Sequence, residues 1–255
     1  MEVHHHSSPA PGGTHTSRKK WTHYFWEFLM LFLAVFCGFL AEYQLEHVIE
    51  NQREKKYAAS LLEDLAKDTT ELNKVILFWE IYNRRIDTIR NEIEKEPSER
   101  NRVLLYQNAA KLQNNNTFTY HDRTIKQLKN SGNFRLIRKK AVTDSLVEYD
   151  GLFETAIRNI QESYNELSHQ RRELQDQLFN SKFYRLIYDL NFDSVAKQEP
   201  TIIALIEGKE ELLFRYYNRL ENLHWLNRAR IRFHKQMLRQ AISLIGSIKK
   251  EYHLE

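Results

Sequence analysis

One run of apolar residues, Phe28 to Ala41 (FLMLFLAVFCGFLA), stands apart from a chain whose other hydrophobic positions are spaced out among charges. Its uncharged core is 14 residues long, short of the ~20 that a membrane-spanning helix needs. The flanks supply the rest. Tyr24 to Tyr43 covers 20 residues, with one internal charge at Glu27 and another, Glu42, near the far edge. At ~1.5 Å of rise per residue that length crosses a hydrocarbon core of roughly 30 Å. Trp21, Tyr24, Phe25 and Trp26 cluster at one end and Tyr43 stands at the other, where aromatic rings settle at membrane–water interfaces. Ala34, Cys37, Gly38 and Ala41 lie among large residues rather than in a small-x-small cleavage site. The pattern predicts an uncleaved transmembrane helix over 21–43.

One face of that helix is distinctive. At about 100° per residue, Glu27, Leu31, Ala34, Gly38 and Ala41 point in a common direction. Ala34 and Gly38 form a small-xxx-small pair, and small side chains let helices approach closely in lipid, where packing drives association. Leu31, Ala34, Gly38 and Ala41 are therefore the expected packing face. Glu27 is an acid inside a span, for which a functional role is the default hypothesis, with an interfacial, snorkelling carboxylate as the plainer alternative.

Beyond the span the spacing changes to that of water-exposed helices. Leu61, Leu65, Asp68, Leu72, Val75, Trp79, Tyr82, Ile86, Ile89 and Ile93 alternate by four and three, and only Asp68 is polar. That register predicts one long helix over roughly 42–94, continuing from the span and closed by Pro97-Ser98, with a coiled-coil-like seam. Further helices are expected near 100–113, over 118–129 up to Asn130-Ser131-Gly132, and over 134–179 with Leu146, Tyr149, Phe153, Ile157, Ile160, Tyr164, Leu167, Leu174 and Leu178 on one face. A break is expected at Asn191-Phe192-Asp193. Pro200 suits the first turn of a last helical region to Tyr252, bent near Gly208. The expected fold is all-α: an N-terminal transmembrane helix (21–43) continuing into an elongated bundle of four to six helices (44–255), behind a flexible tail (1–20).

Composition supports this class, with 28% charged residues, 7 glycines and 4 prolines in 255 residues. Arg18, Lys19 and Lys20 abut the span on its N-terminal side, whereas the first basic residue after it is Arg53, behind Glu42, Glu46 and Glu50. Positive charge stays inside, so the N-terminus is expected in the cytoplasm and the bulk of the chain outside, in the periplasm of a Gram-negative cell. Cys37, the single cysteine, falls inside the span, which leaves the outer domain without a thiol and suits an oxidising compartment. His4, His5, His6 and His15 belong to a tag or a solvated tail, since no carboxylate or cysteine is spaced to close a metal site with them.

The segments QLEHVIENQREKKYAASLLEDLAKDT and TYHDRTIKQLKNSGNFRLIRKKAVTDSLVEYD, behind an aromatic-flanked anchor, carry a resemblance. The second resembles a T-Y-x-x-L-x-x-S-G-x-x-x-L-I pattern, stretched between Tyr120 and Leu128. Over residues 17–180 the chain is similar to a family of single-pass, membrane-anchored helical proteins of Gram-negative bacteria, known only as a domain of unknown function. The resemblance implies an anchored all-helical protein and transfers no catalytic residue.

Candidate chemistry is thin. Tyr120-His121-Asp122 offers a base and a carboxylate, but on a helix adjacent side chains diverge by about 100°. The histidines show no H-x-x-x-H or H-E-x-x-H pairing, and Gly208-Lys209 lacks the remainder of a phosphate loop. Glu63, Asp64, Asp68 and Glu71 would be a carboxylate metal cluster only with a histidine partner on a facing helix, and are expected on a solvated face. No catalytic residue, metal or cofactor is expected. With a net charge of +4 and acids interspersed among the basic runs, nucleic acid is not expected as a partner. Between Phe214 and Phe233 aromatics alternate with arginines. Arg215, Tyr216, Arg219, Trp225 and Arg228 form a candidate interface, because aromatic and arginine side chains dominate hot spots. The rival is a half-buried helix whose aromatics fill the core. The leading expectation is a non-enzymatic, membrane-anchored interaction protein contacting membrane lipid and either itself, as a homo-oligomer, or another membrane protein. The alternatives are an extracytoplasmic ligand-sensing module and an accessory subunit of an ion-driven or transport complex that uses Glu27.

Overall fold

Every position of the four-three register between Leu61 and Ile93 is buried, Asp68 included. The computed structural model describes residues 18–180 and 209–254, and all regular structure among them is helical. The order is α1 (Arg18–Ile93), α2 (Arg102–Lys111), α3 (Arg123–Asn130), a 3-10 turn (Asn133–Leu136), α4 (Lys140–Leu152), a π turn (Phe153–Ile157), α5 (Arg158–Leu178) and α6 (Glu210–Tyr252). Since 140–178 runs on without a break, this amounts to five helices among the described residues. The tail 1–17, the expected break at Asn191-Phe192-Asp193, and the expected Pro200 start and Gly208 bend lie outside them.

The chain divides into two units, Met1–Arg53 and Glu54–Glu255, ten residues later than the 43/44 boundary of the sequence pattern. The physical reason is burial. Leu45, Val48 and Ile49 are apolar yet exposed, and the buried register opens only at Glu54 and Ala58. In the first unit every side chain from Trp21 to Ile49 except Leu29 and His47 is exposed. The helix of this unit is long and apolar enough to cross a membrane, with a mean hydropathy of 2.0 over its most apolar window.

The second unit is a helical bundle. Its core joins the register of α1 to Leu105, Ala109, Val142, Leu146, Tyr149, Tyr164, Leu174 and the inner face of α6. Two expected helices come out differently. The stretch 118–122 is not helical, and α3 begins only at Arg123. Two aspartates of α1, one turn apart, impose this. Asp68 accepts the backbone N–H of His121 at 2.9 Å, and Asp64 accepts the backbone N–H of Thr124 at 3.0 Å together with its hydroxyl. Asp64 thus satisfies an orphan donor in the first turn of α3, where the helix's own Asp122 makes no side-chain cap. The expected helix from 134 instead starts at Lys140, behind the 3-10 turn. Gly132, at φ 65°, takes the left-handed conformation that ends α3.

α2 is capped in the ordinary way. The Asn101 side chain accepts the Leu104 N–H at 3.0 Å, while its own N–H donates to Glu92 Oε2 at 2.8 Å. Asn101→Ala is expected to lower stability by about 1 kcal/mol, the usual value of a lost N-cap. Urea unfolding of the variant beside the parent checks it: the midpoint should fall with the slope unchanged.

Candidate functional site

Three groups of residues compete for the role of functional site, and the structure treats them differently. The first is the exposed face of the N-terminal helix. Leu31, Ala34, Gly38 and Ala41 are all exposed, and a Cβ built on Gly38 meets nothing within 4 Å. On the roughly opposite side Phe28, Phe32 and Phe36 stack in a ladder, with ring centroids 6.3 and 5.9 Å apart. The helix therefore has a bulky side and a side of small residues. Glu27 lies one turn after His23, whose Nδ1 is 3.6 Å from the carboxylate, and both are exposed.

The second group is the aromatic and basic stretch of α6. Its buried positions, Leu213, Tyr216, Leu220, Leu223, Asn227, Arg230, His234, Met237, Ala241, Leu244 and Ile248, keep the alternating three-four spacing of a core-facing stripe. Tyr216 belongs to that stripe. Its ring packs on Phe179 and its hydroxyl donates to Gln175 Oε1 at 3.3 Å, so it is a core residue and not part of a surface. Burial pushes its phenol up to about 12. Arg215, Trp225 and Arg228 are exposed, and Arg219 is half-buried. Trp225 donates to Glu221 at 2.7 Å and lies under the Arg228 guanidinium at 4.9 Å. Arg228 opens an exposed basic row that continues through Arg232, Lys235 and Arg239 along an open groove, opposed by Glu80, which pairs with Lys235 at 2.7 Å. The core reading holds for Tyr216, whereas Arg215, Trp225 and Arg228 stand at the surface of the helix.

The third group was invisible as a site in the sequence: polar side chains inside the bundle. Asp68, 1% exposed, accepts the His121 N–H at 2.9 Å and the Tyr149 hydroxyl at 2.7 Å, and lies 2.9 Å from His121 Nδ1. Burial raises its carboxyl above the usual range, against the pull of these hydrogen bonds. Asp64 and Asp68 are thus buried hydrogen-bond hubs, which corrects the expectation of a solvated carboxylate face. Deeper in, Arg171 is completely buried and donates to Gln175, whose amide donates to the Ala109 carbonyl at 2.9 Å. Arg230, also buried, lies 4.0 Å from the ring centre of Trp79 and 4.3 Å from that of Tyr164. Desolvation brings its guanidinium down to about 10. One turn on, His234 is pushed down to about 3 by burial and by Arg230, and is neutral at physiological pH.

Two guanidinium groups therefore sit in the core against tyrosine, tryptophan and glutamine, an arrangement in which ring faces and carbonyls share the charge. The signal for it was legible in retrospect. Arg171 fills the register position between Leu167 and Leu174, and Asn227, Arg230 and His234 fill three successive positions of the α6 stripe. Reading 214–233 as aromatics alternating with arginines hid that spacing. Among the described residues no group of three or more histidines, cysteines or carboxylates converges as a metal site. Tyr120, His121 and Asp122 do not act together: Tyr120 donates to Asp150 at 3.3 Å, His121 meets Asp68, and Asp122 pairs with Lys126 at 2.7 Å. Comparison with protein-family models, curated proteins and solved structures finds no match to the chain.

Proposed function

We propose that the chain is a single-pass membrane protein that holds a helical bundle at the membrane surface for contact with a second copy of itself or another membrane protein. The observation that carries this reading is the contrast within α1. Its apolar window is wholly exposed, whereas its register after Glu54 is wholly inside the bundle. So many exposed phenylalanines and leucines in water would be an aggregation hazard, and lipid removes it. The basic triplet before the span supports an N-terminus in the cytoplasm and a periplasmic bundle anchored in the inner membrane of a Gram-negative cell. Residues 17–180 suit the anchored helical family that they resemble. No catalytic residues, metal or cofactor enter this reading, and nucleic acid is not among its partners. The small-residue side through Leu31, Ala34, Gly38 and Ala41 is the face for self-association, and the row from Arg215 through Arg228 to Arg239 is the surface left to a further protein.

Gly38→Leu is the deciding substitution, because its side chain meets nothing in the protomer and so leaves the chain's own packing intact. Resistance of the protein to alkaline extraction from membranes is the first expected result. Light scattering of the intact protein in mild detergent should then show a defined oligomer that Gly38→Leu converts to monomer. A monomer in both cases removes self-association through this face. Release by alkali removes the span.

A further inference from the structure

A cavity of about 150 Å³ opens beside the π turn, between that turn, the segment before α3, and α6. Phe118, Phe153 and Ile157 give it apolar walls, and Arg230 and His234 close it on the inside. The exposed Glu162 marks its solvent side. This region belongs to the helical bundle alone and owes nothing to the anchor.

Its inner wall holds three nitrogens that make no hydrogen bond within the bundle. Arg230 is 2% exposed, and among the described residues it has no carboxylate partner. One of its nitrogens donates a long bond of 3.5 Å to the Ile160 carbonyl, and Nη1 has no hydrogen bond. His234 is equally buried, and neither of its ring nitrogens has a partner. A buried donor left unpaired costs about 1–3 kcal/mol. Two unpaired donors and one unpaired acceptor, clustered at one cavity, are therefore expensive unless something else meets them.

The wall itself is irregular in the same place. The Arg158 N–H bonds to the Phe153 carbonyl, five residues back, and Thr155 donates its hydroxyl to the Gly151 carbonyl at 2.7 Å. Single π turns inside α-helices are rare and concentrate at functional sites. Here the first and last residues of the turn, Phe153 and Ile157, are the ones that line the cavity.

We propose that this cavity binds a small organic monocarboxylate, its carboxylate on Arg230 and His234 and its apolar body between Phe118, Phe153 and Ile157. The planar, two-oxygen carboxylate matches the fork of a guanidinium. A neutral imidazole adds a single N–H, which suits a monoanion better than a phosphate with three oxygens to satisfy. Glu162 at the solvent side disfavours a dianion further. A dry protein cavity of about 150 Å³ accommodates a benzene ring, so an aromatic acid of one ring, or a branched aliphatic acid of that size, fits the space. Arg230 also stacks on Trp79 of α1, so an occupied cavity would hold α1, the π turn and α6 together through one guanidinium.

The test uses the intact protein in detergent and para-fluorobenzoate, followed by fluorine NMR against a micelle blank, with para-fluorobenzamide as the uncharged isostere. Saturable binding of the acid, and at least tenfold weaker binding of the amide, is the expected result. Arg230→Gln should weaken the acid by roughly tenfold to a hundredfold, the range for a lost charge-assisted hydrogen bond. If that variant fails to fold, Glu162→Gln decides, because the residue is exposed and its loss removes only a like charge. It should tighten the acid by roughly twofold to fivefold, the range for an exposed charge pair, and leave the amide unchanged. The proposal is overturned if the folded parent does not bind the acid, if acid and amide bind alike, or if Glu162→Gln leaves acid binding unchanged.

Discussion

Asp68→Ala is expected to destabilise the helical bundle by about 4 kcal/mol, more than any exposed substitution in the chain. The substitution removes the shared acceptor of the His121 N–H and the Tyr149 hydroxyl, and the neighbour of His121 Nδ1, at a position 1% exposed. Each donor left unpaired inside costs about 1–3 kcal/mol, and deleting one partner of a buried charged network costs about 3–5. Asp68→Asn keeps one acceptor oxygen and should lose about half as much. Glu63→Ala, two-thirds exposed on the same helix, is the control and should stay within about 0.5 kcal/mol. Equilibrium denaturation at neutral pH gives all three values. A loss under about 1 kcal/mol for Asp68→Ala would mean that the segment 118–124 is held by its apolar contacts and not by the aspartate. Hydrogen exchange at His121 and Thr124 adds a local readout: Asp68→Ala should expose the first amide sooner than the second, which Asp64 still holds.

The second large effect is acid lability centred on His234. In the folded chain its imidazole is pushed down to about 3, by desolvation first and by the neighbouring Arg230 guanidinium second. The ordinary value is about 6.5. The sign follows from where the proton prefers to be. Between pH ~6.5 and ~3 the unfolded chain binds a proton that the folded chain refuses, so stability is complete above pH ~6.5 and falls as the pH is lowered through that window. At pH 4.5 the loss from this one group amounts to roughly 2.5–3 kcal/mol. The charged groups facing it are Arg230 on its own helix and Arg158 and Glu162 across the cavity. His234→Leu removes the titration and, with it, two unpartnered ring nitrogens. The variant should be at least as stable as the parent at pH 4.5, and the pH dependence of the difference between the two is the measured quantity. A difference that does not change between pH 7.5 and 4.5 would show that the folded bundle binds this proton as readily as the unfolded chain.

Much of the architecture was legible in the sequence because periodicity is a local property. The four-three spacing from Leu61 to Ile93 names buried positions one after another, and Asn130-Ser131-Gly132 names a stop, since only glycine takes φ 65° freely there. The misreadings share a cause. Residues 118–122 have a composition compatible with a helix, but acceptors supplied by α1, fifty and more residues away, take the amide of His121 and, at the start of α3, that of Thr124. Tyr216 looked like an interface residue because its neighbours Arg215 and Arg219 are charged, whereas the stripe from Leu213 to Ile248 puts it inside. The same stripe carries Asn227, Arg230 and His234 into the core. Charge type suggested a solvated face, and register decided otherwise.

What the sequence determined by itself is whatever depends on neighbours along the chain: an apolar segment long enough for a bilayer, the all-helical class, the buried faces of the long helices, and the small side of the first helix. What only the tertiary structure decided is where polar groups meet. Asp68 with His121 and Tyr149, Arg230 between Trp79 and Tyr164, and the cavity beside the π turn each join residues from three separate segments. No local pattern encodes such meetings. Helical spacing fixes which side a residue faces, while the partner it finds there depends on how the other helices pack against it.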